Sequence, residues 1–220
     1  MKKFVYLIAS IINAGVTALC LYLSPYVVLP MHYGISGYAD RYASKWEIMI
    51  YTAIPAVIGI VYLVYSILTK KKDSKNKKLM DKIFFAMFVF ILVNLWCLTI
   101  QALQCKNHMS NSTLSILAIT MGTMFLVLSN FLPKARQNGL FGFRTFATLS
   151  SQTVWNKTHR LAGMLGVVGS LTLMLSGVMG AMFEKIAVYV FIAGIAVYLI
   201  VGIIIPCVYA SVIYQKEKNN

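Results

Sequence analysis

The chain has 220 residues, of which 59% are apolar and 12% charged, and its formal net charge is +14. Soluble domains carry roughly 25% charged residues; here the charges are bunched between long uncharged runs, which leaves no room for a soluble domain. The chain reads as an integral membrane protein.

In chain order, the first apolar stretch lies near 4–24 and follows Met1-Lys2-Lys3. Those residues suit the n-region of a signal peptide, but Phe4 to Leu23 outruns the usual h-region of about 7–15 residues. Val16-Thr17-Ala18-Leu19-Cys20 has the outline of a lipoprotein cleavage site, with bulky Leu19 where a small residue belongs. We read a retained helix. The following loop, 25–46, contains Pro30, Gly34 and Gly37, which interrupt any helix. Its tyrosines, Tyr26, Tyr33, Tyr38 and Tyr42, suit the headgroup interface. Asp40 is expected to pair with Arg41 or Lys45, so that the loop folds as a small cap. The sharper alternative is contact with an external ligand through His32, Asp40 and Lys45. His32 and Asp40 alone are too few to hold a structural zinc, and no metal or cofactor is expected.

The second span lies near 48–69 and ends at a basic stretch, 70–82. Lys70-Lys71-Lys72 and Lys75-Asn76-Lys77-Lys78 lack interleaved aromatic residues and sit between two spans, so nucleic acid is not an expected partner. The third and fourth spans lie near 83–105 and 113–132. Polar residues within the spans are few: Asn13, Asn94, Gln101 and Asn130. No charged residue is placed at mid-depth, where ion-coupled transporters usually carry one.

The loop 133–160 separates the fourth and fifth spans and contains five basic residues and no acid. Phe141-Gly142-Phe143-Arg144 sets two rings around a glycine, which permits close approach to another surface. A helix is predicted from Gln152 to Gly163, with Trp155 and His159 sharing one face and Asn156 and Arg160 another. The Trp155 face is expected to lie along the membrane surface, with Trp155 anchored and Arg160 reaching phosphates. For Trp155 and Lys157, an anchor that merely orients the fifth span is the plainer alternative. Arg144, His159 and Arg160 are binding candidates, because a guanidinium fork recognises carboxylate or phosphate. Ser150 or Ser151 with His159 has no acid in the loop to orient it, so no enzyme activity is expected. The fifth span, near 161–183, has Gly163, Gly166, Gly169 and Ser170 as a smooth packing surface, and the sixth lies near 186–210. Cys20, Cys97, Cys105 and Cys207 fall in or beside spans with no CxxC spacing, so no disulfide framework is indicated.

Each span has about the 20 residues a helix needs to cross about 30 Å of hydrocarbon, and only helices satisfy their backbone over such runs. The expected fold is therefore all-α, with six transmembrane helices. It is organised as a two-helix unit (1–69), a basic linker (70–82) and a four-helix unit (83–220). Placing both termini in the cytoplasm puts sixteen of the twenty basic residues inside, leaving Arg41, Lys45, Lys106 and Lys185 outside. The bilayer, with its anionic headgroups, accounts for the net charge.

Two segments together resemble a known family. Asn138, Gly142, Arg144, Thr145, Thr148, Leu149, Ser150, Trp155, Thr158, His159, Arg160 and Gly163 match the signature of the Sdp immunity (SdpI) family of bacterial membrane proteins. Phe146-Ala147 stand where the family's pattern has Pro-Trp. The outer loop is similar to the small domain that often precedes this signature, with Pro30, His32, Gly37, Asp40, Ser44 and Lys45 in the expected order and spacing. The resemblance implies a protein of the cytoplasmic membrane that protects its producer from a secreted killing peptide and relays the peptide's presence to a cytoplasmic regulator. The competing reading is a small transporter or permease exporting a toxic peptide or lipid, for which the sparse polar residues of the spans supply no route.

Overall fold

A computed structural model describes residues 4–69 and 74–219. Lys2, Lys3, Lys70, Lys71 and Lys72, which the expected orientation counts, lie outside the described residues. Among those described, six helical segments are long and apolar enough to cross a membrane: Val5–Leu23, Lys45–Leu68, Lys77–Leu103, Asn111–Lys134, Gln152–Met182 and Glu184–Asn219. All six expected spans are present. The third, fifth and sixth run past the expected limits, because polar and basic residues at a span's end continue its helix. The helix of the third span begins at Ser74, inside the stretch expected to be a linker.

The elements are α1 (Val5–Leu23), β1 (Val28–Tyr33), β2 (Ala39–Ser44), α2 (Ile48–Tyr51), α3 (Ala53–Leu68), α4 (Ser74–Leu103), α5 (Asn111–Phe131), α6 (Phe146–Ser150), α7 (Gln152–Met182), α8 (Ala187–Tyr198) and α9 (Ile205–Asn219). They form two compact units, Met1–Leu117 and Ala118–Asn220.

In the first unit, α1 buries Ser10, Asn13, Thr17 and Leu21, while Ile8, Ile11, Ile12 and Leu19 are exposed. Small and polar residues thus face the neighbouring helices and large apolar ones face outward, as close packing in lipid requires. Gly59 of α3 lets α1 approach: a Cβ there would come within 3.0 Å of Leu7 Cδ2. Helix α4 joins this unit because its side chains reach back. The Trp96 indole N–H donates to Asn13 Oδ1 at 2.9 Å, and Phe88 and Phe84 meet the rings of Tyr6 and Tyr62 edge-on. The third span therefore packs with the first two, rather than opening a separate unit at 83.

The loop after α1 contains a feature that an all-α reading omits. β1 and β2 form an antiparallel hairpin with irregularities on either side of His32. Asp40 pairs with His32 at 2.6 Å, not with Arg41 or Lys45. Arg41 instead binds Glu47 at 2.6 Å, and the Lys45 ammonium donates to the Ser24 carbonyl at 2.8 Å. Adjacent residues of a strand point to opposite faces, so Asp40 and Arg41 do not pair; the irregular register at His32 brings it to Asp40, and Lys45 lies beyond β2, at the end of α1. The hairpin is fastened to the 104–110 loop. Ala39 N–H donates to the Asn107 carbonyl at 2.8 Å, and Met109 N–H to the Gly37 carbonyl at 2.8 Å. Beneath them, the fully buried Gln101 donates to the Tyr33 hydroxyl and the His108 carbonyl, and accepts from Ser110 N–H and the Thr113 hydroxyl.

The second unit is built around α7, whose Gly163, Gly166, Gly169 and Ser170 are buried as the packing surface predicted. A Cβ at Gly163 would come within 2.7 Å of Pro133, and one at Gly169 within 3.1 Å of Tyr198. Between α8 and α9 the backbone forms a π-helical segment, Leu199–Ile204. Pro206 accounts for it. Proline has no N–H to give the carbonyl four residues back and its ring crowds that carbonyl, and a π segment absorbs both defects.

Candidate functional site

The loop joining α5 to α7 is a succession of short, locally satisfied turns. Asn138 Oδ1 accepts from the N–H groups of Leu140 (2.8 Å) and Phe141 (2.9 Å), closing the first turn. The Arg144 guanidinium donates to the Gly139 carbonyl. Thr145 caps α6: its hydroxyl accepts from Thr148 N–H, and the Thr148 hydroxyl accepts from Thr145 N–H at 3.0 Å, a reciprocal capping box. Gln137 closes the other end of α6, donating to the carbonyls of Thr148 and Leu149 at 2.8 Å each. Ser151 then caps α7.

His159 holds this assembly to α7. Its Nδ1–H donates to the Trp155 carbonyl at 2.8 Å, one turn back, and Nε2 accepts from Phe143 N–H at 3.0 Å. The ring is thus the neutral tautomer with its proton on Nδ1. Gly142 makes the approach possible in two ways. Its φ of +111° is a region in which side chains are strained, and a Cβ there would collide with the His159 ring. Trp155 stacks on His159 with centroids 3.9 Å apart, and its indole N–H donates to the Ala135 carbonyl at 2.8 Å. Trp155, Thr158 and His159 are 0%, 0% and 1% exposed. Among the described residues the Thr158 hydroxyl meets no hydrogen-bond partner.

The sharing of one face by Trp155 and His159 is as predicted, but the environment of that face is not. It is covered by the loop rather than laid along a surface, because Gly142 lets the backbone close on the ring and Phe143 N–H bond to it. The outer face of the same turns presents Asn156, Lys157 and Arg160, all exposed, together with Arg144 and the 77%-exposed Phe146. The motif residues therefore divide by role. Gly142, Thr145, Thr148, Trp155, His159 and Gly163 are turned inward or hold the loop, and Arg144 and Arg160 are exposed. A shallow polar depression lies beside them, lined by Pro133, Lys134, Arg136, Gln137, Gln152 and Asn156. Gln137 was not among the expected site residues; its only sequence signal is an amide directly before the turn-forming Asn138.

In the first unit, His32 and Asp40 form an ion-pair geometry with both side chains more than half exposed, while Lys45 is turned toward the end of α1. The expected trio is thus split: His32 and Asp40 meet, and Lys45 binds the Ser24 carbonyl just after α1.

Comparison with known proteins agrees with the motif. Residues 134–210 match the SdpI/YfhL protein family, a segment that takes in the whole of the His159-held loop. The chain is also 27% identical to the immunity protein SdpI of Bacillus subtilis (strain 168), over all of this chain and 99% of that one. No solved structure matches.

Proposed function

The chain is a multi-pass membrane protein with an SdpI/YfhL family segment at 134–210, and from that premise we propose that it is a non-enzymatic immunity protein. It protects the cell that carries it against a secreted killing peptide and relays the peptide's presence to a cytoplasmic regulator. The observation that carries this reading is the end-to-end similarity to a protein named for immunity, with both the hairpin and the motif loop inside the aligned length. The chemistry of the motif agrees. Both His159 nitrogens are engaged by backbone groups, which suits a fastening role rather than a general base.

In this reading the basic loop faces the cytoplasm and the hairpin faces outward, in the cytoplasmic membrane. Peptide at the hairpin end shifts the protein between two states, and the exposed Arg144 and Arg160 engage the regulator in one of them. Such a shift requires different affinity of the peptide for the two states.

The test is survival of sensitive bacteria expressing the protein when challenged with secreted peptides encoded beside its gene. Wild type protects; Arg144→Ala and Arg160→Ala, present in the membrane at equal levels, keep protection but lose co-purification of the cytoplasmic partner. Absence of protection against every such peptide removes the immunity reading. A partner that co-purifies equally with wild type and both variants removes the role of the two arginines.

A further inference from the structure

The polar depression of the second unit lies between the chain that leaves α5 and the first turns of α7, and has a volume of about 520 Å³. That is within the roughly 300–1,000 Å³ of pockets that take organic ligands. Charge, hydrogen-bonding atoms and depth together indicate what it accepts.

Lys134 and Arg136 bring two positive charges to the depression, and no Asp or Glu is among its lining residues. The Lys134 ammonium lies 5.9 Å over the Phe131 ring and has no ion-pair partner among the described residues. A concave surface with cations of one sign favours an anion.

The amides narrow the choice. Gln137 gives its side-chain N–H groups to the Thr148 and Leu149 carbonyls, so Oε1 is the atom it can offer a ligand. Asn156 is the reverse: its Oδ1 accepts from the Gln152 amide at 3.0 Å, and its own N–H groups can donate. The depression thus combines cations and a neutral donor, which suit phosphate oxygens, with an amide carbonyl, which suits a hydroxyl.

Depth supplies the source. From Leu161 to Met182, α7 has no charged or amide side chain. That run spans about 33 Å at 1.5 Å per residue, close to the roughly 30 Å of hydrocarbon. Asn156 stands about 7.5 Å ahead of it, at the level of a headgroup layer about 5–8 Å deep on each face. Lys134 is the last residue of the fourth span. The cations and amides are therefore level with lipid phosphates, and basic pockets between spans receive lipid headgroups.

We infer that this depression is a headgroup site for an anionic phospholipid of the adjoining leaflet. Lys134, Arg136 and the Asn156 amide hold the phosphate, and Gln137 accepts from a headgroup hydroxyl. The ligand chemistry is a phosphate ester carrying hydroxyls, of which phosphoglycerol is the plainest form. The site depends neither on the immunity reading nor on which side of the membrane the loop occupies.

The experiment uses the full chain in detergent micelles, with phosphatidylglycerol and phosphatidylserine of the same acyl chains at equal concentration. Retained lipid is read by native mass spectrometry. The two lipids have equal net charge, but only the glycerol headgroup carries hydroxyls without an ammonium. Phosphatidylglycerol is expected to be retained at least fivefold more. Lys134→Gln and Asn156→Leu, on different elements, each lower its retention at least fivefold, so that misfolding of one leaves the other. Lys216→Gln removes an equal charge from the exposed end of α9 and leaves retention unchanged. Equal retention of the two lipids, or as large a loss in Lys216→Gln, shows attraction to net charge alone and overturns the site. So does retention unchanged in both depression variants. Two soluble competitors separate the other sources of an anion. Glycerol 3-phosphate that displaces the lipid at equal concentration assigns the site to a free phosphate ester. A capped polyglutamate peptide that does so assigns it to an acidic protein partner, and either result overturns the lipid.

Discussion

A neutral imidazole has one N–H, and at His159 it is given to the Trp155 carbonyl, so Nε2 is left as the acceptor that holds Phe143. Protonation would place a second donor against Phe143 N–H, so the loop depends on a neutral ring. It depends equally on Gly142, where a Cβ would meet both a strained φ and the imidazole. Gly142→Ala should therefore loosen the loop by about 1–3 kcal/mol, the cost of holding a side chain in such a region. Trypsin cleavage after the exposed Arg144 should quicken by an order of magnitude or more; unchanged cleavage would mean the loop is not fastened through His159. Trp155→Phe keeps a ring for the stack but removes the indole donor, leaving the Ala135 carbonyl buried without it. A loss of about 1–3 kcal/mol in unfolding measurements is expected. The pairing of Trp155 and His159 was legible from their spacing of four. Their burial was not, because it is decided by Gly142 and Phe143, which lie in a separate turn whose path no local pattern specifies.

Among the elements, the hairpin was the least legible. Val28-Leu29-Pro30-Met31-His32-Tyr33 has no clean alternation and contains a proline, so the strand signal is weak. What makes it a strand is tertiary: its partner β2 and the fastening of both to the 104–110 loop. Gln101 is the centre of that fastening, a buried amide with all of its hydrogen-bonding directions engaged. Gln101→Leu leaves Ser110 N–H, the Thr113 hydroxyl and the His108 carbonyl without it. Amide hydrogen exchange at Ala39 and Met109 should rise by at least tenfold, while exchange in α7 stays as it is. Exchange unchanged at Ala39 would show that the strand pairs hold the hairpin unaided. Tyr33 adds a pH dependence. Burial raises its hydroxyl above the ordinary value of 10.0, and the Gln101 bond only partly offsets this. The unfolded chain then loses the Tyr33 proton first as pH rises, so the hairpin is destabilised above about pH 10 and unaffected below it. Tyr33→Phe should remove that part of the alkaline loss, read from exchange at the same amides.

At the scale of the whole molecule, the six spans were legible because length and the spacing of charges report directly on the bilayer. The grouping of the helices was not, since it rests on contacts distant in sequence, such as Trp96 with Asn13. Orientation is the remaining step, and it bears on every functional claim. The positive-inside bias counts residues, several beyond those described, and predicts that 25–46 is outside and 133–160 inside. Two positions report on this with little disturbance. Ser36 lies exposed at the hairpin tip, and Gly139 is exposed with nothing within 4 Å of a Cβ built on it. In a cysteine-free background, Ser36→Cys should react with a membrane-impermeant maleimide in intact cells, and Gly139→Cys only after permeabilisation. The reverse pattern would set Arg144 and Arg160 outside, where no cytoplasmic regulator can reach them. Immunity by an outward hairpin and signalling by an inward loop would then fall together, whatever the similarity to a named immunity protein.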